Sequence, residues 1–398
     1  MAPAGGTGTG DGTVTAPLSS QRHLFNLPDG VAYLNCAYMS PQLRSVTEAG
    51  LAAVPRKARP WERTVPDGWF AEPEALRAAA ARLMGADVDD VALVPSVSYA
   101  IATAAANVTV RAGQNIVVLA EQFPSNYYAW RTLAADRGAE LRTARRPPRE
   151  GWTGAVLAAI DGDTAVVAVP NCHWSDGAIV DLVRVGEEAR AVGATLVVDA
   201  SQSLGAYPID VGRVQPDFLA SVTYKWQLGP YELAYLYVGP RWRETGRPIE
   251  ASWLARADAE DFTGLVDYTD EYAPGARRFD MGGYPQFILG PMALAGLNQI
   301  LEWGVDRVRA TIAPITRRIA DEARDMGCEV LQEGERVGHM LGVRLPGGVP
   351  PELTRRLEAA GVYVSVRGDA IRISPHVYND ANDVDRLLAV LRDSTQLP

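Results

Sequence analysis

Lysine is almost missing from this sequence. Of the 38 lysine and arginine residues in the 398-residue chain, only Lys57 and Lys225 are lysines. Arginine stays protonated in proteins and cannot act as an amine nucleophile, whereas a lysine in an apolar setting can lose its proton and form a Schiff base. Any lysine chemistry in this protein must therefore depend on one of these two residues.

Cysteine is also scarce, with three residues in the chain. Cys36, Cys172 and Cys328 are far apart and odd in number, so the sequence contains no disulfide framework and no Cys-x-x-Cys metal motif. We interpret all three as small buried side chains and expect a reducing, cytoplasmic compartment. We expect no metal site.

Long apolar runs and an excess of positive charge are absent as well. No segment reaches the roughly 18 uninterrupted apolar residues of a membrane-spanning helix, and the start is not that of a signal peptide. The net charge of −10 argues against nucleic acid or a membrane as partners. No Gly-x-Gly-x-x-Gly turn follows a strand, which disfavours a nicotinamide-binding fold. Residues 1–20 are rich in Gly and Thr and are predicted to be a disordered tail.

The most informative segment is residues 194–239. Its apolar runs at 195–198, 218–223 and 232–238 predict buried strands. Lys225 follows the second run, whereas Lys57 lies in a polar, proline-flanked turn. A surface lysine is the alternative interpretation of Lys225. The acid Asp199 at the end of the first run favours a functional role, because ligands of open α/β sheets bind at the carboxyl ends of strands.

This segment carries, in order, Asp199-Ala200-Ser201-Gln202, Asp210, Asp217, Tyr224-Lys225 and Gly229-Pro230. The combination resembles the class V aminotransferase family, a branch of the fold-type I pyridoxal 5′-phosphate (PLP) enzymes, and the resemblance extends from about residue 24 to residue 396. It implies an α/β fold whose large domain, 41–290, contains a mainly parallel, seven-stranded type of sheet between helices. We expect a smaller α+β domain at 291–398 and an N-terminal segment, 21–40, packed between that domain and the site.

The resemblance implies roles for four residues around the cofactor. Lys225 would hold PLP as a Schiff base and then act as general acid and base. Asp199 would keep the pyridine nitrogen protonated, and Gln202 would lie beside the ring oxygen O3′. Tyr224 would also contact the cofactor. Such an enzyme further needs a phosphate cradle and a cover for the ring face.

The phosphate cradle is expected where the strand at 91–94 leads into a helix that begins near Ser98. A helix N-terminus offers free N–H groups and the positive end of the dipole to an anion. The resemblance places the phosphate on the N–H groups of Ser96 and Val97 and on the Ser98 hydroxyl; a plain N-cap is the alternative. Phe123, in a Phe-Pro-Ser run resembling the kynureninase and epimerase-like branch, would stack on the ring, with core packing as the alternative.

Three residues are candidates for substrate contact. Arg372, in a predicted hairpin, matches the family's carboxylate-binding arginine, and a guanidinium suits a carboxylate; Arg367 in the same hairpin is a weaker candidate. His173 follows a strand and, as a neutral imidazole, would bind the cofactor or move a proton. Tyr38 lies in a segment that the family places beside the substrate. The structural alternatives are a surface ion pair for Arg372 and packing of the aromatic rings for His173 and Tyr38.

The segment 277–285 resembles a family loop that reaches across a dimer to the neighbouring cofactor phosphate. Here Gly282, Gly283 and Tyr284 replace the family's Gly-Thr, so we expect backbone N–H groups to make the contact. A simple turn is the alternative. The resemblance therefore implies a homodimer with shared site loops and an amino acid as the small-molecule substrate.

These residues activate bonds at Cα of an amino acid without deciding which bond breaks. We favour β-elimination (a C–S lyase reaction) on a cysteine S-conjugate or related amino acid in specialised metabolism, because of the Phe-Pro-Ser run and because no device for a second substrate is evident. Aminotransfer, decarboxylation-dependent oxidative deamination, kynureninase-like cleavage and a degenerate sensor or subunit stay open. A cysteine desulfurase is disfavoured, since no cysteine lies between Arg367 and Arg372.

Overall fold

The computed structural model describes residues 15–65, 67–146 and 151–395, so most of the predicted disordered tail lies outside the described residues. The strands are β1 Ala32–Tyr33, β2 Val91–Val94, β3 Asn115–Leu119, β4 Glu140–Ala144, β5 Thr164–Pro170, β6 Thr195–Asp199, β7 Phe218–Val222, β8 Ala234–Val238, β9 Leu341–Val343, β10 Val362–Tyr363, β11 Ser365–Arg367 and β12 Ala370–Ile373. The helices are α1 Arg44–Ala53, α2 Asp67–Met84, α3 Val97–Asn107, α4 Ser125–Arg137, α5 Gly151–Ala159, α6 Leu182–Ala191, α7 Val211–Val214, α8 Pro240–Thr245, α9 Leu289–Trp303, α10 Val305–Asp325, α11 Leu353–Ala359 and α12 Ala381–Thr395.

A seven-stranded sheet in the order β2-β8-β7-β6-β5-β3-β4 forms the centre of the protein. Neighbouring strands from β7 to β4 are parallel, and β8 runs antiparallel to both β7 and β2. Strands such as β3 are apolar and β-branched along their length, which is typical of a sheet covered on both faces. The predicted fold class, a mainly parallel α/β sheet, is confirmed.

Helices cover both faces of this sheet. Successive side chains of β3 point to opposite faces: Val117 and Leu119 belong to one buried apolar cluster, and Ile116 and Val118 to the other. The second cluster includes Trp130 of α4, which is fully buried. The sheet is therefore the middle layer of three.

One edge of the sheet collects the carboxyl ends of its strands. Val94 of β2 and Val222 of β7 both pair with Ala234, the first residue of β8, and Pro170 of β5 pairs with Asp199 of β6. The loops that leave these strands therefore start side by side. This edge is where ligands bind in open α/β sheets.

The C-terminal part forms a three-stranded antiparallel sheet in the order β11-β12-β9. Outside these strands, Glu329 and Arg344 form an isolated antiparallel bridge. The run at 362–366 is split, because β10 pairs with β1 whereas β11 pairs with β12. Within the described ranges, no helix combines the length and apolarity needed to cross a membrane.

Candidate active site

A cavity of about 270 Å³ lies at the carboxyl edge of the central sheet. Its walls come from the loops after β2, β3, β5 and β7, from the end of β6 and from the residues before β8. It brings together seven of the predicted cofactor-binding residues and the lysine: Ser96, Val97, Ser98, Phe123, Asp199, Gln202, Tyr224 and Lys225. These residues come from four different chain segments, and the sheet order is what joins them.

Lys225 follows β7 and is buried, with 6% of its surface exposed. Its Nζ has no hydrogen-bond or ion-pair partner within the described part of the chain; it lies 5.5 Å from the ring centre of Phe123 and 5.6 Å from that of Tyr224. Burial lowers the pKa of Lys225 from 10.5 to about 8, while the nearby Asp199 carboxylate opposes that shift and the Arg372 guanidinium adds to it. The amine is thus available as a nucleophile and as a base.

Asp199 ends β6 and is buried in the same cavity. One carboxylate oxygen accepts a hydrogen bond from the Ser201 N–H at 3.0 Å, and no ion pair to Asp199 occurs among the described residues. Gln202 also lines the cavity, but its side chain is held in place: Oε1 accepts from Trp226 Nε1 and Nε2 donates to the carbonyl of Ala37, both at 3.0 Å. The acid is therefore free to pair with a buried cation that enters the cavity.

The N-terminus of α3 opens into the cavity, as expected. Ser96 is the N-cap, and its hydroxyl accepts a hydrogen bond from the Tyr99 N–H at 3.1 Å. The exposed Ser98 hydroxyl lies 2.9 Å from the Ser125 hydroxyl. The N–H groups of the first turn of α3 and the hydroxyls of Ser98 and Ser125 therefore form an anion-binding surface at the positive end of the helix dipole.

Two aromatic rings stand at the opening between this cavity and an outer chamber of about 410 Å³. Phe123 is 40% exposed and contacts Trp174 edge to face, with ring centres 5.6 Å apart. The indole of Trp174 is anchored because its Nε1 donates to the Glu121 carbonyl at 2.7 Å. The exposed ring of Phe123 is placed to face a flat ligand rather than to fill the core.

Arg372 of β12 lines the outer chamber and is 2% exposed. Its Nη1 donates to the Trp174 carbonyl at 3.0 Å, its Nε is buried without a partner, and no carboxylate pairs with it in the described ranges. Burial, helped by the nearby charge of Arg367, lowers the pKa of Arg372 to about 9. A buried guanidinium without a counter-ion is expected to bind an anion.

His173 does not line either of these two spaces, so the described geometry gives no support to its predicted contact with cofactor or substrate. Pro170, Cys172 and Trp174 of this segment line the cavity, whereas His173 does not. Its ring stacks on Trp152 with centres 5.1 Å apart and bonds Ser175 Oγ at 2.7 Å. Burial lowers the pKa of His173, so it is a neutral structural residue.

Tyr38 and the loop of Gly282, Gly283 and Tyr284 have different positions. Tyr38 is 54% exposed and lines the outer chamber. The loop lies outside this chain's cavity: Gly282 N–H donates to Glu250, and the buried Tyr284 packs near Phe70. The expected contact of the loop with a neighbouring subunit stays a prediction.

Sequence reasoning missed several residues of the site. Trp174 and Tyr231 line both spaces, and Tyr231 packs on Tyr224 with ring centres 4.5 Å apart. Cys172 also reaches the cavity, buried, with its pKa raised to about 12 by burial. Nothing in the sequence marks these three residues as lining the cavity.

The cavity fits the chemistry of PLP. It combines an unpartnered buried amine on Lys225, an unpaired buried carboxylate on Asp199, an anion-binding helix N-terminus and an exposed aromatic ring on Phe123. These groups match the aldehyde, the pyridine nitrogen, the phosphate and the ring face of the cofactor.

Comparisons with known proteins agree with this geometry. Residues 70–387 match the family described as "Aminotransferase class-V". An uncharacterized aminotransferase, YcbU, of Bacillus subtilis (strain 168) is 29% identical over 347 residues, which are 82% of this chain and 84% of that protein. Isopenicillin N epimerase of Streptomyces clavuligerus is 29% identical over 332 residues, 79% of this chain and 82% of the epimerase.

The fold is shared with solved structures of low sequence identity. A cysteine desulfurase from Thermococcus onnurineus NA1 has a TM-score of 0.82 at 20% identity, covering 96% of this chain and 99% of that chain. The family match spans most of the chain, and the cavity carries the groups that the cofactor needs. The chain therefore belongs to the class V aminotransferase family and is a PLP-dependent enzyme.

Proposed function

We propose that this enzyme catalyses β-elimination from an amino acid that carries a leaving group on Cβ, such as a cysteine S-conjugate. The observation that carries the proposal is the placement of Lys225 and Arg372 in one chamber, both buried and both without a carboxylate partner within the described ranges. A free amino acid whose α-carboxylate meets Arg372 would present its Cα to the side of the chamber where Lys225 lies.

PLP, when bound, withdraws electrons from the bonds at Cα of the amino acid. Arg372 orients the substrate through its α-carboxylate, and its loss of solvent makes that hydrogen-bonded pair strong. The Lys225 amine accepts the Cα proton, since its lowered pKa suits a general base near neutral pH. The C–H electron pair forms the Cα=Cβ bond as the Cβ–S bond breaks, and the thiolate leaves with both electrons of that bond. Hydrolysis of the eliminated product then yields a 2-oxo acid and ammonia.

The protein thiols do not favour the desulfurase alternative, in which a cysteine takes sulfur from the substrate. A thiolate is the nucleophile in such chemistry. Burial raises the pKa of Cys172 to about 12, and it raises the pKa of the fully buried Cys36 as well. Both side chains stay protonated at neutral pH, so sulfur should leave on the substrate's own leaving group.

The test combines the visible spectrum of the bound cofactor with product analysis. Wild-type protein should be yellow and should release a thiol and an equal amount of 2-oxo acid from cysteine S-conjugates, whereas Lys225→Ala should lose both the absorbance band and the release. The matched control Lys57→Ala replaces the other lysine of the chain and should retain both. Oxo acid formed from ordinary amino acids without thiol release would indicate aminotransfer and refute elimination.

We also propose that the enzyme works as a homodimer in which the loop at 277–285 completes the partner's site. Two features support this: Ser98 at the phosphate cradle is exposed, and Gly283 at the loop tip is exposed with no other atom within 4 Å of a Cβ built there. A side chain at Gly283 is thus tolerated within one chain. Gly283→Trp should block only a neighbouring site.

Mixing two inactive variants tests the shared site. Lys225→Ala and Gly283→Trp homodimers should each be inactive, and a refolded mixture should regain up to about half of the sites of each hybrid dimer by mass action. A mixture that stays inactive, or a monomer in analytical ultracentrifugation, would refute the shared site.

A further inference from the structure

The outer chamber has an unusual charge balance. Its lining contains three basic side chains, Lys225, Arg367 and Arg372, and no Asp or Glu. This occurs in a chain with a net charge of −10, so the positive chamber is not a consequence of composition. A cleft lined by positive charge focuses the electrostatic field and therefore attracts anions.

Arg367 and Arg372 lie on neighbouring antiparallel strands and on the same face of the sheet. Ser365 pairs with Arg372 and Arg367 pairs with Ala370, so the two arginines are diagonal neighbours across the β11–β12 hairpin. Diagonal neighbours of this kind are about 7–8 Å apart and within reach of long side chains. Burial lowers the pKa of both arginines, and the charge of Arg367 lowers the pKa of Arg372 further.

Arg367 has no acidic partner within the described part of the chain. Its Nη1 donates to the neighbouring Val366 carbonyl at 2.8 Å, and its guanidinium carbon lies 5.9 Å from the ring centre of Trp174. Arg367 is half-buried, so its charge loses part of its solvation. No ion pair within the described part of the chain compensates for that loss. Such an arrangement is expected where a ligand supplies the missing anion.

A single α-carboxylate does not neutralise the positive charge of this chamber. In the proposed function, Arg372 takes that carboxylate and the Lys225 amine accepts the Cα proton, which leaves Arg367 unmatched. The lining of the same chamber also contains an aromatic wall of Trp174, Tyr38 and Tyr231.

We propose that Arg367 is a specificity-determining residue that binds a second carboxylate at the far end of the substrate's side chain. The aromatic wall fits an apolar spacer between the two carboxylates, so the preferred substrate is an amino acid whose Cβ leaving group ends in a carboxylate. The inference rests on the proposed function in that Arg372 binds the α-carboxylate and the group on Cβ is the leaving group.

The test measures binding without turnover. Isothermal titration of the holoenzyme with glutarate and adipate is compared with pentanoate and hexanoate, which have the same chain lengths and one carboxylate. We expect the dicarboxylates to bind about ten- to hundred-fold more tightly, the range given by hydrogen bonds to a charged group. Arg367→Gln should remove this preference, and Arg372→Gln should weaken all four ligands.

The control is Arg355→Gln, which removes the same charge from an exposed position on α11. It should leave the preference intact, which separates a local contact from a change in net charge. Equal loss of both ligand classes in Arg367→Gln would overturn the proposal, because both arginines would then hold one carboxylate. No preference in the wild type, or no measurable dicarboxylate binding, would overturn it as well.

Failure of this inference is distinguishable from failure of the proposed function. Dicarboxylate preference without thiol release from any S-conjugate would refute elimination and retain the subsite. Thiol release from conjugates with neutral and carboxylate ends at equal kcat/KM would refute the subsite and retain elimination.

Discussion

The lowered pKa of Lys225 predicts how the cofactor-free protein takes up PLP. Only the neutral amine attacks an aldehyde, so the rate of uptake should rise with pH around the lysine's own pKa. Burial places that pKa at about 8 instead of 10.5, a difference of about 3 kcal/mol between the protonation states. At pH 7.5 the neutral fraction is then about one quarter rather than about one thousandth, a gain of about 200-fold.

The assay follows the visible absorbance after mixing cofactor-free protein with PLP between pH 6 and pH 10. N-acetyl-lysine methylamide, measured in parallel, corrects for the ionisations of PLP itself. We expect a midpoint near 8 for the protein. A midpoint near 10.5 would refute the burial argument.

Two variants test the cause of the shift through its sign. Arg372→Gln removes a neighbouring positive charge and should raise the midpoint, whereas Asp199→Asn removes the carboxylate that favours the protonated amine and should lower it. Arg355→Gln, on the exposed face of α11, should leave the midpoint in place. Shifts in the same direction for the first two variants would contradict the electrostatic explanation.

Three further predictions concern stability and cofactor affinity. Arg77→Met leaves the buried Asp280 carboxylate without its cation and should lower the free energy of unfolding in urea by about 3–5 kcal/mol. Burial lowers the pKa of His339 to about 4 and of His376 to about 3, so unfolded chains take up protons first as the pH falls below 6.5. Stability should therefore fall by about 2–3 kcal/mol per histidine between pH 7 and pH 4.5. Ser96→Ala removes the N-cap of α3 and should cost about 1 kcal/mol of stability and weaken PLP binding.

Each of these predictions has its own control. Adding Asp280→Leu to Arg77→Met should recover much of the lost stability, because no unpaired charge then stays buried. His376→Phe keeps the stacking on Trp226 and should roughly halve the loss in acid; an unchanged loss would show that other groups titrate there. Ser96→Thr should behave like the wild type. If Ser96→Ala left the free energy of unfolding unchanged, the proposed stabilisation by the Ser96 N-cap would be contradicted.

The chemistry of the main residues could be predicted because each depends on local sequence. An apolar run that ends in an acid, as at Asp199, predicts a buried strand with its acid at the carboxyl end. A serine before a helical run, as at Ser96, predicts an N-cap and an anion-binding terminus. The scarcity of lysine then limited the choice of amine to two residues, and only Lys225 follows a buried strand.

Side-chain direction after β5 was decided by the tertiary structure. His173 was predicted to face the site, but Cys172 and Trp174 line the cavity while His173 stacks on Trp152. One residue of shift along an extended segment reverses every side chain, and the sequence carries no mark of that register.

The sequence by itself determined the residue types of the site and the strand ends that carry them, because periodicity and helix caps act over a few residues. Only the tertiary structure decided that Arg367 and Arg372 share one chamber with Lys225 and that no acid lines it. Burial, the lowered pKa of Lys225 and the missing counter-ions depend on which distant segments pack together. Those contacts arise from sheet order and domain packing, since desolvation is a property of the surroundings and not of a residue's neighbours in the chain.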